Sequence, residues 1–237
     1  IGVAGTTSWG TTLAIVSARQ ELDVRLWART EEEASRLRAD GENRRLLPGA
    51  RFPPSLAVTA SAQEAFGDAG LVIIAVPSNS LRSNVKAIRD SLGSSTPIVS
   101  ATKGLELNSG KRMSQVLQEE LPASLHPVIC ALSGPNLAQE IVDGKPCSTV
   151  VASANEDVAK QAQSLLTSLK FRVYTNTDII GVEFGGALKN IIALGAGICD
   201  GLHYGDNAKA AVITRGLAEI GRLGVAAGGR AGTLSGL

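Results

Sequence analysis

Aromatic residues are scarce in this chain. They make up 3% of 237 residues, so Ala, Val, Ile and Leu must fill the core that a 44% hydrophobic content supplies. No stripe of basic and aromatic residues offers a stacking platform for nucleic acid. Charge of one sign is lacking too. Lys plus Arg is 23 against 22 for Asp plus Glu, a formal +1, which gives no global attraction to nucleic acid or a membrane surface. The only histidines, His126 and His203, lie far apart with no metal-like spacing to the cysteines, so no metal site is expected. Cys130, Cys147 and Cys199 are few, odd in number and set among apolar residues. They read as reduced core thiols, which favours the cytoplasm. There is no G-x-S-x-G, no lysine-bearing phosphate loop, no low-complexity tract and no internal repeat, and no signal peptide is read. One apolar run, Ile179–Cys199, has membrane-like length, but it holds Glu183, Lys189, Asn190 and five glycines. The expectation is a buried helix rather than membrane insertion.

What is present is an alternation of apolar strands and amphipathic helices over the first 150 residues, the pattern of a parallel sheet covered on both faces. Strands are expected at 1–4, 24–27, 71–76, 97–101 and 127–132, with 149–152 and 171–174 extending the sheet. Helices are expected at 11–19, 31–39, 81–92, 136–142 and 158–169. Residues 44–56 hold Pro48, Pro53 and Pro54 and read as loop. From about Asn176 the strand pattern gives way to Ala-, Gly- and Leu-rich helical segments, Ile179–Cys199 and Asn207–Leu223. The fold class is α/β: a Rossmann-type doubly wound sheet over 1–175, followed by the start of an all-α domain over 176–237. The first strand begins almost at residue 1 without an initiating Met, and the Gly-rich stretch 228–237 stops without an obvious terminal element. Both ends are therefore expected to be cut.

The first strand runs into Gly5-Thr6-Thr7-Ser8-Trp9-Gly10. A strand, a Gly-containing turn and a helix N-terminus make an anion site, because unpaired backbone N–H groups face the ligand. The dinucleotide fingerprint G-x-G-x-x-G falls on Gly5, Thr7 and Gly10, with Thr7 replacing the central glycine that normally lets pyrophosphate approach. An ordinary strand–helix turn is the alternative. After the second strand, where NAD selectivity usually places an acidic residue, stands Arg29. A guanidinium there can pair with a 2′-phosphate and stack on adenine, favouring NADPH or tolerance of both cofactors. Otherwise Arg29 is a solvated residue opening the acidic helix of Glu31, Glu32 and Glu33.

Lys189 is the only Lys or Arg between Arg172 and Lys209. Desolvated in an apolar helix beside Leu188, Ile191, Ile192 and Leu194, it would have a lowered pKa suited to proton transfer, with Gly185 and Gly186 leaving room for a ligand. The alternative is a lysine snorkelling at a helix edge. Lys103 follows a strand at the sheet edge that carries the ligand crevice in open α/β folds, or is simply a loop lysine beside Gly104. Ser133-Gly134-Pro135-Asn136-Leu137-Ala138 also follows a strand and opens a helix facing the same crevice.

Taken in order, Gly5…Ser8-Trp9-Gly10-Thr11, Trp27-Ala28-Arg29, Ala101-Thr102-Lys103-Gly104, Ser133-Gly134-Pro135, Gly181-Val182…Gly185-Gly186-Ala187-Leu188-Lys189-Asn190 and Asn207-Ala208-Lys209…Ile213-Thr214-Arg215-Gly216-Leu217-Ala218-Glu219 resemble the bacterial NAD(P)-dependent glycerol-3-phosphate dehydrogenases over essentially the whole chain. The resemblance implies interconversion of sn-glycerol 3-phosphate and dihydroxyacetone phosphate, supplying phospholipid backbones, with NADPH or NADH as cofactor and a homodimer as the common arrangement. It implies that Ser8, Trp9, Arg29 and Ala138 contact the dinucleotide, and the fingerprint adds Gly5, Thr7 and Gly10. Lys103 would touch cofactor and substrate, Gly134 and Asn136 would line the substrate site, and Lys189 would bind substrate and accept its proton during oxidation. Asn136 departs from the Ser or Thr common there but keeps hydrogen-bonding ability; Thr7 departs at the central glycine. The family continues beyond Leu237 with a Gly-Leu-Gly-Asp segment and an Arg-Asn pair, so this chain is expected to be a fragment that binds cofactor and has little turnover alone. Other readings are a reductase of the same plan acting on a different small hydroxy acid, and a dinucleotide-binding regulatory module.

Overall fold

The computed structural model of the protein describes residues 1–235. In chain order its elements are β1 (Gly2–Ala4), α1 (Ser8–Ala18), β2 (Val24–Trp27), α2 (Glu31–Asp40), β3 (Leu56–Thr59), α3 (Ala62–Phe66), β4 (Val72–Ile74), α4 (Leu81–Ile88), β5 (Ile98–Ser100), α5 (Met113–Glu120), β6 (Ile129–Ser133), α6 (Ala138–Val142), β7 (Cys147–Ala152), α7 (Glu156–Leu166), β8 (Phe171–Asn176), α8 (Ile179–Gly201), α9 (Gly205–Ala226) and α10 (Ala231–Ser235). The eight strands form one sheet in the order β3-β2-β1-β4-β5-β6-β7-β8.

Strands β1, β4, β5 and β6 are buried at every position. That is why they read as continuous apolar runs: helices cover both faces of the sheet. Leu13, Ile15, Leu26, Val151 and Phe171 belong to the core on one side. Phe66, Ile74, Val85 and Val116 belong to the other. The doubly wound expectation therefore holds, and the strand pattern ends at Asn176 as expected.

Several local expectations do not hold. Helix α1 begins at Ser8 rather than near Thr11, because Thr7 is its N-cap and its hydroxyl accepts from the Gly10 amide at 3.0 Å. The proline-containing loop gives way at Leu56 to β3, which pairs in parallel with β2. Helices α3, α5 and α10 lacked a pattern long enough to announce them. Strand β7 runs antiparallel to β6, although the alternation suggested parallel strands. The connection between them, residues 134–146, holds only the short helix α6 before the chain turns back along β6.

Helix α8 corrects a further expectation. It is not a buried core helix among the described residues: Ile191, Leu194 and Ile198 are 66%, 70% and 59% exposed. Only one stripe, carrying Val182, Glu183 and Gly186, is buried in its first half. At 100° per residue, Ile191 and Leu194 point well away from Lys189. They do not supply the apolar surroundings expected for it. All three cysteines are unbridged; Cys130 and Cys199 are buried and Cys147 is half-buried. The expected C-terminal stretch 228–237 includes α10, and its residues 236–237 lie outside the described residues.

Candidate active site

The glycine loop is shaped by two positions that exclude a side chain. Gly5 has φ +119°, and a Cβ there would lie 2.5 Å from the Ala75 carbonyl oxygen. A Cβ on Gly10 would lie 2.1 Å from the Gly5 carbonyl oxygen. The third fingerprint position thus does what the motif requires, bringing helix against strand. Thr7, at the central position, has ordinary extended backbone (φ −66°, ψ 167°). Its hydroxyl donates to the Ala75 carbonyl at 2.7 Å while capping Gly10, so the side chain is engaged with the protein. The Ser8 and Trp9 amides have no hydrogen-bond partner among the described residues. They are the free donors of the α1 N-terminus.

Thr7 separates two cavities at the C-terminal edge of the parallel strands. One, of 290 Å³, is lined by Gly5, Thr6, Thr7, Trp27 and Arg29, with Asn79 and Asn84 opposite. The other, of 320 Å³, is lined by Ser8, Trp9, Thr102, Lys103, Asn136 and Ala138. Val76 and Pro77 line both. Apart from Gly10, which is buried behind the loop, the expected cofactor residues therefore line these two cavities, and Arg29 is exposed at the far end. Trp9 Nε1 is buried without a partner among the described residues. A larger cavity of 460 Å³ lies away from this edge, beside Val16, Ile141 and Leu169. None of the expected site residues reaches it.

Lys103 and Lys189 meet at one atom. Lys103 Nζ donates to the Gly134 carbonyl at 3.2 Å, and Lys189 Nζ donates to the same carbonyl. Lys103 arrives from the end of β5 and Lys189 from α8. Gly186 lets α8 approach, since a Cβ there would lie 2.2 Å from Ser133 Oγ. Burial, then the nearby charge of Lys189, pushes Lys103 down to about 8. Burial also lowers the Lys189 pKa, with its contact to Lys103 acting in the opposite sense. Lys103 Nζ further lies 5.8 Å from the centre of the Trp9 ring, a cation–π contact that ties it to the dinucleotide edge. A 220 Å³ cavity lined by Gly134, Gly185, Lys189, Ile192 and Leu217 continues from this point toward α9 and α10.

Asn136 serves the loop. Its Nδ2 donates to the Ser148 carbonyl at 3.1 Å and its Oδ1 accepts from Thr149 at 3.1 Å. One amide N–H remains for a ligand. Gly134 contributes its carbonyl, and a Cβ there would meet the Ser148 carbonyl oxygen at 2.9 Å.

Three supporting residues escaped the sequence reading. Asn43 is buried, and its Nδ2 donates to the Thr6 carbonyl and to Thr11 Oγ1 at 2.8 and 2.9 Å, holding the glycine loop from behind. It sits in an aperiodic loop that offers no signal. Asp178 caps α8 and accepts from the Gly181 and Arg230 amides. Burial raises its pKa, but these donors outweigh burial and leave it lowered. Glu183 is buried against Arg112; its signal was a carboxylate inside an apolar run.

The family model for the NAD-dependent glycerol-3-phosphate dehydrogenase N-terminus matches residues 1–159, and that for the C-terminus matches residues 178–237. A glycerol-3-phosphate dehydrogenase [NAD(P)+] of Dehalococcoides mccartyi is 52% identical over 99% of this chain, which spans 66% of that relative. One from Chlorobium limicola is 51% identical over the whole chain, which spans 71% of it. The crystal structure of the Coxiella burnetii glycerol-3-phosphate dehydrogenase superposes with a TM-score of 0.90 at 38% identity, over 99% of this chain and 71% of that one. With family models matching on both sides of the β8–α8 junction, the chain belongs to the NAD(P)-dependent glycerol-3-phosphate dehydrogenase family.

Proposed function

We propose that this chain carries the dinucleotide-binding part and the proton-handling lysine of an oxidoreductase that interconverts sn-glycerol 3-phosphate and dihydroxyacetone phosphate. The observation that carries the reading is the convergence of Lys103 and Lys189 on the Gly134 carbonyl, at the end of the crevice that begins with Arg29. The residues present fit a dinucleotide. The Ser8 and Trp9 amides are free for pyrophosphate, Gly5 and Gly10 shape the turn, Ala138 and Trp9 line the nicotinamide side, and Arg29 is exposed where a 2′-phosphate would be read. NADPH and NADH are both accommodated on this reading. When bound, the dinucleotide supplies the two-electron redox chemistry.

The chain's own residues handle the proton and the charge. In the oxidation direction, neutral Lys189 takes the proton from the substrate hydroxyl oxygen; in reduction, its ammonium returns one to the carbonyl oxygen. Its lowered pKa keeps both forms accessible nearer neutrality than an exposed lysine allows. Lys103 supplies a second cation for a small phosphorylated substrate, and Gly134 with the free N–H of Asn136 completes that wall. Residues 1–175 form the dinucleotide unit and 176–237 contribute to the substrate unit on this reading. A cytoplasmic location and a homodimer complete it, the former supported by three unbridged cysteines.

The test is NADPH and NADH oxidation with dihydroxyacetone phosphate, using a chimera that continues this chain with the remaining residues of the Chlorobium limicola relative. Turnover should fall by about 10²–10⁴ in Lys189→Ala, the usual contribution of a general acid–base. A folded chimera with no turnover on either cofactor would refute the reading.

A further inference from the structure

Glu183 lies on α8 with its side chain 6% exposed, and its partner Arg112 is 14% exposed. One carboxylate oxygen accepts from Arg112 Nη1 at 2.5 Å and from Ser114 Oγ at 2.6 Å. The other accepts from the Ser114 amide at 2.7 Å, at the N-terminus of α5. A buried carboxylate so fully bonded is a poor source of net stability, since desolvation offsets most of the attraction. What it does supply is a fixed geometry between the two elements it joins.

Those elements carry the two lysines. On α8, Lys189 lies six residues after Glu183, or about 9 Å along the axis, and Gly186 between them packs on Ser133. Arg112 pairs across an antiparallel bridge with Leu105. The Glu106 amide donates to the Lys111 carbonyl at 2.9 Å within the same closed segment. Lys103 stands two residues before Leu105. The Arg112–Glu183 contact therefore grips the segment behind Lys103 and the helix that bears Lys189.

We infer that Glu183, acting through Arg112 and Ser114, is a positioning residue that sets Lys103 and Lys189 together on the Gly134 carbonyl. This deepens the reading of the lysines as the substrate-facing pair. Loosening the contact lets the two ammonium groups separate and take up water.

The experiment is competitive acetylation of the chain itself across pH, read for each lysine by peptide mass spectrometry, with surface Lys86 as internal reference. In the wild type, the Lys103 midpoint should fall at about 8. In Glu183→Gln it should rise by a unit or more, a roughly tenfold loss of Lys103 reactivity near neutral pH. Lys86 should be unchanged. Should Glu183→Gln fail to fold, the double variant Arg112→Met/Glu183→Leu, which replaces the pair with apolar side chains, should fold and show the same rise. A folded variant with wild-type Lys103 and Lys189 midpoints would overturn the inference. A wild-type Lys103 midpoint already at 10.5 would refute the lysine-pair reading beneath it, independently of any turnover assay.

Discussion

Replacing Lys103 with methionine should make the protein more stable at neutral pH. The folded protein holds Lys103 at about 8, against 10.5 for the free side chain. Below about 8 both folded and unfolded chains bind this proton, but the folded chain binds it more weakly, and the full penalty applies. Between about 8 and 10.5 the unfolded chain binds more protons than the folded one, so stability rises with pH. Above 10.5 the penalty is gone. The shift spans about 2.5 units, or ~3.4 kcal/mol at ~1.36 kcal/mol per unit. Lys103 is only partly buried, so solvent screening reduces the usable figure to about 1–2 kcal/mol. Methionine keeps the length of the stem without the charge, and the Gly134 carbonyl keeps its bond from Lys189. For a chain of this size, 1 kcal/mol moves the Tm by roughly 2–4 °C. Thermal unfolding of Lys103→Met and wild type side by side should therefore show a gain of several degrees at neutral pH, mostly gone by about pH 10. A loss of Tm at neutral pH, or a gain that does not change with pH, would refute the reasoning.

Two other substitutions test the dinucleotide edge. Arg29→Ala should weaken NADPH binding by roughly 5–30-fold, the loss of one charge-assisted contact at an exposed site, and leave NADH nearly unchanged; fluorescence titration with both nucleotides checks this, and equal weakening of both counts against the assignment. Gly10→Ala should abolish nucleotide binding and lower Tm, because its methyl would sit 2.1 Å from the Gly5 carbonyl oxygen, where only a backbone shift relieves the clash.

The architecture was legible because buried parallel strands write themselves as apolar runs and because Gly5, Gly10 and Lys189 occupy positions whose chemistry admits few residues. The short elements were not. Strand β3 follows three prolines, and α3 has five residues, too few for a period to emerge. The reversal of β7 leaves no mark in the strand itself, because an apolar run reads the same in either direction. The surroundings of Lys189 were misjudged for a related reason. Neighbours in sequence on a helix point in different directions, so Ile191 and Leu194 were close in the chain and remote from the amine. Its burial comes from across the chain, where Gly186 brings α8 close to Ser133 and the amine reaches the Gly134 carbonyl. Glu183 and Asn43 were hidden for the same cause: a buried polar group declares its role only through partners 69 and 32–37 residues away.

The place of β1 inside the sheet bears on how the protein is made. Residues 2–4 pair on one side with β2 and on the other with β4, which begins only at Val72. At a synthesis rate of about 5–20 residues per second, the β1–β2 ribbon waits several seconds for its second neighbour. During that interval the edge of β1 presents unpaired amides and carbonyls to any extended chain nearby. Closing so long a loop is also a slow entropic step. The seam between β1 and β4, which lies under the glycine loop, is thus a place where the nascent chain is open to mispairing.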